Sequence, residues 1–561
     1  MTETAPGVPV PLALSAPPEH VFPTLTAAQV ARIAPHGRVR RVERGDVLVD
    51  TGEQSLPFFV VLAGALEVVR GSDLAEEIVV VHQPGQFTGE MSMVSGRRGL
   101  AQIRVREAGE VIEVPRAKLM ALVQTDSELS EILMRAFILR RVELIKRGSG
   151  DVVLVGSRHS GGTLRVKEFL TRNGHPYSYI DLDEDSGAQD FLDHFRVRVE
   201  DVPVLICRGK AALRNPTNHE IAECLGLNAP LDRTQVRDVV IVGAGPAGLA
   251  AAVYGSSEGL DVLILESTAP GGQAGSSSWI ENYLGFPTGI SGQDLAGRAY
   301  TQAQKFGAQM IIASSAKALS CQRRPYAIQI DNGQAVPART VIVATGAAYR
   351  KLSVDDLTRF EGAGVYYGAT ATEAQLCRNE EVIVVGGGNS AGQAAVFLAL
   401  ASKRVHMLVR AEGLAETMSR YLIRRIERSP AIELRTLTEV VGLEGSDRLQ
   451  RVRTRDNRTG EVETLHVGHV FVMTGAEPTT KWLADCVVLD AKGFIKTGPD
   501  LSRDELTAAG WPLARAPHLL ETSLPGVFAV GDVRSGNQKR VASAVGEGST
   551  AVALVHQVLK E

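Results

Sequence analysis

Short apolar runs separated by turn residues fill positions 25 to 115. They are Val47–Val49, Phe58–Leu62 followed by Gly64, Leu66–Val69, Ile78–Val81 and Val111–Val114. Runs of this length predict a small β-sandwich or barrel. The spacing then changes: Leu129, Ile132, Leu133, Ala136 and Phe137 recur at helical intervals and predict a helix with one apolar face. Gly148-Ser149-Gly150 reads as a linker. The pattern restarts over 151–229 as a small α/β unit. Its strands are expected at Val152–Val155, Tyr177–Leu182 and Val204–Cys207, with a helix at Thr163–Asn173. From about Val236 onward apolar strands alternate with helices, which predicts parallel sheets. Residues 1–24, with six prolines by Pro23, read as a flexible arm.

Two glycine fingerprints lie in the alternating region. Val239–Val242 runs straight into Gly243-Ala244-Gly245-Pro246-Ala247-Gly248 and then a helix. Gly243 permits the tight turn, Gly245 lets the backbone approach a pyrophosphate, and Gly248 lets helix and strand pack closely. The helix N-terminus offers N–H donors to phosphate. The next strand ends at Glu266, placed to accept ribose hydroxyls. The second fingerprint follows Val382–Val385 and reads Gly386-Gly387-Gly388-Asn389-Ser390-Ala391. Its next strand, Arg404–Val409, ends at Arg410, where a guanidinium pairs with a ribose 2′-phosphate. NADPH is therefore expected over NADH, the alternative being that Arg410 is only a solvated strand end. Arg420, Arg424 and Arg425 follow on a helix, either assisting or forming its wet face. Two dinucleotide folds in one chain predict one flavin and one nicotinamide.

Composition narrows the partners. Lys and Arg number 60 against 64 Asp and Glu, a net charge of −4, which gives no footprint for nucleic acid. Five scattered cysteines form no CxxC and no zinc spacing, so no metal is expected, and a reducing compartment is. No uninterrupted apolar span reaches 18 residues and no signal peptide opens the chain, so no membrane span and a cytoplasmic location are expected.

On these motifs, residues 236–561 resemble thioredoxin reductase. Gly271-Gly272-Gln273 and Ile280-Glu281-Asn282-Tyr283 are similar to that family's flavin-contact segments. Ala344-Thr345-Gly346 and Thr474-Gly475 resemble its interdomain crossings. Gly531-Asp532 and Lys539-Arg540-Val541 resemble its C-terminal flavin segments. The resemblance implies FAD on Gly243, Gly245, Gly248, Glu266, Gly272, Gln273, Asn282, Thr345, Gly346, Asp532, Arg540 and Val541. It implies NADPH on Gly386, Gly388, Asn389, Ser390, Ala391 and Arg410.

The departure is at the redox motif. Where the family has Cys-Ala-Thr-Cys-Asp, this chain reads Gly368-Ala369-Thr370-Ala371-Thr372, a degenerate site with neither thiols nor the following acid. A dithiol relay needs two thiols. Cys377 reads as a packing residue or as a displaced redox thiol.

The middle unit resembles a glutaredoxin or thioredoxin-like domain, with Val153–Val155 as first strand and Asp201-Val202-Pro203-Val204 as cis-proline loop. Ser160-Gly161-Gly162-Thr163 stands at its redox motif, again without cysteine. The N-terminal region resembles a cyclic-nucleotide-binding β-roll through Gly45, Gly64 and Phe87-Thr88-Gly89-Glu90-Met91. That likeness implies a ribose and phosphate contact at Gly89 and Glu90. Its phosphate-binding arginine falls at Gly99, so Arg97 or Arg98 stands in or the ligand is bound weakly or not at all. The helix from Leu129 resembles the dimer helix of such regulators and implies a homodimer.

The expected plan is a multidomain α/β and α+β chain. It comprises an arm (1–24), a cyclic-nucleotide-binding-like domain (25–148) and a thioredoxin-like α/β domain (151–229). Two Rossmann-like three-layer dinucleotide domains follow, FAD-binding (235–350 with 478–561) and NAD(P)H-binding (351–477). The expected function is an NADPH-dependent FAD oxidoreductase with a non-dithiol acceptor: a quinone, an electron carrier or oxygen, whether small molecule or protein. The alternatives are a redox- or nucleotide-sensing scaffold with little turnover, and thioredoxin-disulfide reduction by another route.

Overall fold

The computed structural model describes residues 16–54, 56–72, 75–146, 152–158, 160–183, 201–207, 211–232, 234–369, 371–415, 418–446, 448–483 and 485–561, with backbone alone at 71, 72, 75, 76, 371 and 372. The linker expected at Gly148–Gly150 and the motif residue Thr370 lie outside them.

In the N-terminal domain a five-stranded antiparallel sheet runs Arg38–Val42, Gln102–Val114, Phe58–Ser72, Ala75–His82, with Val47–Val49 added against Gln102–Val114. The two runs expected as separate strands around Gly64 are one strand, Phe58–Ser72. Gly64 has φ +80 and the register slips at Val61/Ala63 and Ala63/Ala65, so the glycine makes a bulge rather than a turn. The bulge faces Gly109, where a Cβ would stand 1.9 Å from the Ala63 carbonyl oxygen. The helix Ser127–Lys146 buries Leu129, Leu133, Ala136 and Phe137 on that sheet. The arm reading is corrected for its last residues. Pro18–Val21 forms a helical turn, Val21 is fully buried, and its carbonyl accepts from Arg140 Nε at 2.9 Å.

The unit after the linker has a four-stranded sheet ordered Ser178–Asp181, Val152–Gly156, Val204–Cys207, Ala211–Arg214. The first pair is parallel and the others antiparallel. The Val202–Pro203 peptide is cis. The helix Gly161–Arg172 begins two residues earlier than the apolar pattern predicts, because Ser160 caps it by accepting from the Thr163 N–H.

The dinucleotide region holds two parallel sheets. The first orders Gln309–Ile312, Val262–Glu266, Arg237–Val242 and Ala335–Val343, with Val527–Ala529 joining Ala335–Val343 and an antiparallel extension through Tyr326–Ile330 to Ala316–Ser320. The second orders Val365–Tyr366, Val470–Val472, Glu381–Val385, Arg404–Leu408 and Ile432–Arg435, all parallel. Their central strands are apolar throughout because both faces are covered. Helices pack on one face and antiparallel strands on the other, with Ile328 and Ile330 against Val240 and Val242 in the first sheet and Val440 and Val452 against Ile383 and Val385 in the second. A two-stranded ribbon, Ala347–Tyr349 against Ala476–Pro478, joins the two domains where the crossings were expected.

Among the described residues no helix is long and apolar enough to cross a membrane, and no cluster of three metal-ligating side chains occurs. The cysteines depart from the expected unpaired set. Cys207 pairs with Cys224 and Cys321 with Cys486, leaving Cys377 free and buried. Cysteine usage therefore no longer argues for a reducing compartment.

Candidate functional site

At the first glycine loop Gly243 has φ +104, and a Cβ there would stand 2.4 Å from the Ala344 oxygen. At Gly248 a Cβ would stand 1.9 Å from the Gly243 oxygen. Both are glycine for packing. Gly245 differs, since the only atom near its Cβ position is the Gly272 Cα at 4.0 Å. Gly245 also caps the helix Pro246–Ser257 without a side-chain hydrogen bond. The first N–H groups of that helix thus face an open cradle of the kind a phosphate fills.

Glu266 is buried and accepts from the Ala244 and Thr268 N–H groups at 2.8 Å and from Ala269 at 3.2 Å. It therefore braces the loop as well as ending the strand. Asp532 is pushed up from the usual carboxylate range by burial, against Lys539. A desolvated carboxylate of this kind gains most from a hydroxyl donor. The residues present fit a flavin dinucleotide. Gln273 donates to the Ala347 carbonyl, Gly346 has φ +63, and Thr345 Oγ1 donates to Thr479 O at 2.8 Å. Asn282 and Arg540 are exposed, Val541 is half-buried, and Arg540 caps the helix Val541–Val558, which has no side-chain cap.

The second loop repeats the logic. A Cβ on Gly386 would stand 2.4 Å from the Met473 oxygen, whereas nothing lies within 4 Å of one on Gly388. Gly388 caps the helix Asn389–Leu398, again without a side chain. Ala391 is fully buried, and Asn389 Oδ1 accepts from the Ser419 N–H at 2.7 Å, tying the following helix to the loop. Arg410 is exposed and makes no ion pair among the described residues. Arg425 is engaged elsewhere, with Glu281 at 2.6 Å across the two domains. Ser390 lines a cleft with Gln273 and Tyr349, so the loops of both domains open toward one place. Burial raises the Tyr349 phenol, partly offset by its hydrogen bond to Ser390.

Gly368 and Ala369 border this cleft. Ala369 forms a parallel bridge to Ser277, and the Gly368 Cβ position is 3.8 Å from the Ser276 Cβ. Ala371 opens the helix Ala371–Leu376. The cleft measures about 30 Å³. Cys377 is fully buried in the domain core, and burial, with Glu380 and Glu373 nearby, pushes its thiol well up.

The four candidate nucleotide residues of the N-terminal domain separate. Gly89 and Glu90 line one cavity. Arg97 and Arg98 line another, against the next unit. Arg97 is buried and donates to Asn173 O at 3.0 Å and Tyr300 Oη at 3.4 Å, joining three parts of the chain. Glu90 is held by Arg141 at 3.0 Å and by the Ser92 N–H at 3.0 Å.

Comparison with known proteins agrees with this geometry. The family model of pyridine nucleotide-disulphide oxidoreductases matches residues 237–548. Thioredoxin reductase of Treponema pallidum is 34% identical over 315 residues, 56% of this chain and 94% of the relative. The chain belongs to the thioredoxin-reductase family. Solved thioredoxin reductases agree. That of Lactococcus lactis in its FR conformation gives a TM-score of 0.52 at 28% identity, covering 58% of this chain and all of that one. That of T. acidophilum gives 0.52 at 29%, over 59% of this chain and 100% of its own. The cyclic nucleotide-binding domain model matches residues 39–126.

This thioredoxin-reductase-family chain is thus an NAD(P)H-dependent flavin oxidoreductase that uses FAD and NADPH. Sequence reasoning missed the contacts that set its two domains together: Arg425 on Glu281, Ala369 on Ser277, and Tyr349 beside Ser390. Each joins residues more than 40 positions apart, and no local pattern marks them. It also missed Arg172 Nη2, which donates to Gly272 O at 3.0 Å from the middle unit.

Proposed function

We propose that this chain oxidises NADPH, reduces its FAD, and hands the electrons to an acceptor other than a dithiol in the same chain. The observation that carries this is the motif Gly368-Ala369-Thr370-Ala371, with the remaining free thiol, Cys377, fully buried. FAD supplies the two-electron relay between NADPH and the acceptor. The chain holds FAD on the open first-turn N–H groups after Gly245, with Asp532 taking a hydroxyl and Gln273 beside the ring. It holds NADPH on the helix after Gly388, with Arg410 on the 2′-phosphate. Asn282, Thr345, Gly346, Arg540 and Val541 complete the flavin side, and Asn389, Ser390 and Ala391 the nicotinamide side. The acceptor meets the flavin at the cleft beside Gly368, where no thiol stands between them. A quinone suits this best, leaving as the quinol with two electrons and two protons.

The middle unit reads as a thioredoxin-like domain turned into a spacer between the dinucleotide domains. The chain works in the cytoplasm, where NADPH is made, as a homodimer through the helix Ser127–Lys146. Anaerobic mixing with NADPH tests the reading: the flavin absorbance bleaches, and adding a soluble quinone restores it over many turnovers. Bleaching with no productive acceptor, across quinones, oxygen and disulfides, would instead favour a sensing scaffold.

A further inference from the structure

The N-terminal domain has a cavity of about 90 Å³ between its sheet, the helix Ser127–Lys146 and Phe22. Much of its wall is aliphatic, including Leu56, Val68, Val80, Leu100 and Ile103. Two basic side chains in that wall are nine-tenths or more buried, His82 at 1% and Arg140 at 6% exposure. Arg140 spends Nε on Val21 O and Nη1 on Gly89 O, at 2.9 and 2.7 Å, and lies over the Phe87 ring. Its Nη2 is buried without a partner. So are His82 Nδ1 and Nη1 of Arg70, a third lining residue. Burial lowers the His82 imidazole well below its usual range, and the charge of Arg140 in the same wall acts in the same direction. The one carboxylate in the wall, Glu90, is ion-paired with Arg141 at 3.0 Å and accepts from the Ser92 N–H through Oε1. Its Oε2 makes no hydrogen bond, and its charge also acts on Arg140, so one carboxylate stands against three basic side chains. Buried nitrogens of this kind call for an acceptor.

The cavity offers a cyclic phosphate no arginine at the position where this fold carries one, which is Gly99. Arg97 and Arg98, the arginines nearest the expected phosphate position, line a different cavity. We propose that this cavity binds a short aliphatic monocarboxylate, its oxygens on the open nitrogens of Arg140, His82 and Arg70 and its chain among Val80, Leu100 and Ile103.

Calorimetry on the full FAD-loaded chain tests this with butyrate and isovalerate, against butanol as the neutral isostere, inorganic phosphate and cyclic AMP. Saturable heat is expected with the acids alone. Arg70→Gln should weaken it about tenfold or more, the scale of one hydrogen bond to a charged group. Val80→Phe, which fills the space and leaves every cation in place, should abolish it, with an unchanged flavin spectrum showing that the chain is folded. Equal binding of butanol, or no saturable heat with either acid, overturns the proposal. Tight cyclic AMP binding lost in Val80→Phe also overturns it and returns the cavity to a nucleotide.

Discussion

Gly368-Ala369 and Ser160-Gly161-Gly162 are the two thiol-free stretches that the sequence likens to redox motifs, yet their surroundings are opposite. Gly368 and Ala369 lie along Ser276 and Ser277 at the cleft that both glycine loops reach. Ser160 is spent as a helix cap, a Cβ on Gly162 would meet Pro203 Cδ at 2.8 Å, and a Cβ on Gly362 would meet Gly161 Cα at 3.1 Å. Leu164, one turn on, belongs to the hydrophobic core around the second glycine loop. One stretch thus borders the cleft between the two glycine loops, while the other is a packed contact in which Gly162 has no room for a side chain. The absence of cysteine does not distinguish the two stretches; the neighbouring atoms do.

Substitution at the two stretches should separate them most sharply. Gly162→Val should destabilise the chain by about 1–3 kcal/mol through overpacking against Pro203. Gly368→Val should stay within about 0.5 kcal/mol in thermal stability, since only the Ser276 Cβ, at 3.8 Å, lies near its Cβ position. Thermal denaturation followed by flavin release checks both, and equal losses would mean that both motifs are packed alike.

Arg410→Ala sharpens the reading of the cleft side. NADPH should weaken by about 1–3 kcal/mol and NADH hardly change, since only the 2′-phosphate pairs with the guanidinium. Titration of flavin bleaching with each cofactor measures it. Equal weakening would show that Arg410 does not meet that phosphate.

A smaller effect should appear in pH. Asp532 has its carboxyl raised by burial, so its proton is held to higher pH than usual in the free chain. A hydroxyl donor from FAD favours the charged form, so binding releases a proton. FAD affinity should therefore rise with pH through that raised value and level off above it. Asp532→Asn should flatten the profile, as read by FAD fluorescence. Smaller still, Cys377 should resist iodoacetamide in the native chain at mildly alkaline pH, because burial holds the thiol protonated. Labelling of the native chain would revive it as a redox candidate.

The glycine loops were legible because their signal is local: a buried strand, glycines whose Cβ positions collide with backbone, and an uncapped helix. The strand through Gly64 was not, because a bulge needs its partner Gly109 to be seen. Arg97 read as a phosphate ligand by offset, but its partners Asn173 and Tyr300 lie far along the chain. The paired cysteines escaped for the same reason, with Cys321 and Cys486 separated by 165 residues.

The claim that electrons leave without a dithiol in the chain is tested most directly by NADPH consumption, first with thioredoxin and then with a soluble quinone. The wild type should turn over with the quinone and negligibly with thioredoxin. The double change Gly368→Cys, Ala371→Cys should recover little thioredoxin reduction, because Thr372 still stands where the family has its acid. Robust thioredoxin reduction by the wild type would contradict the account.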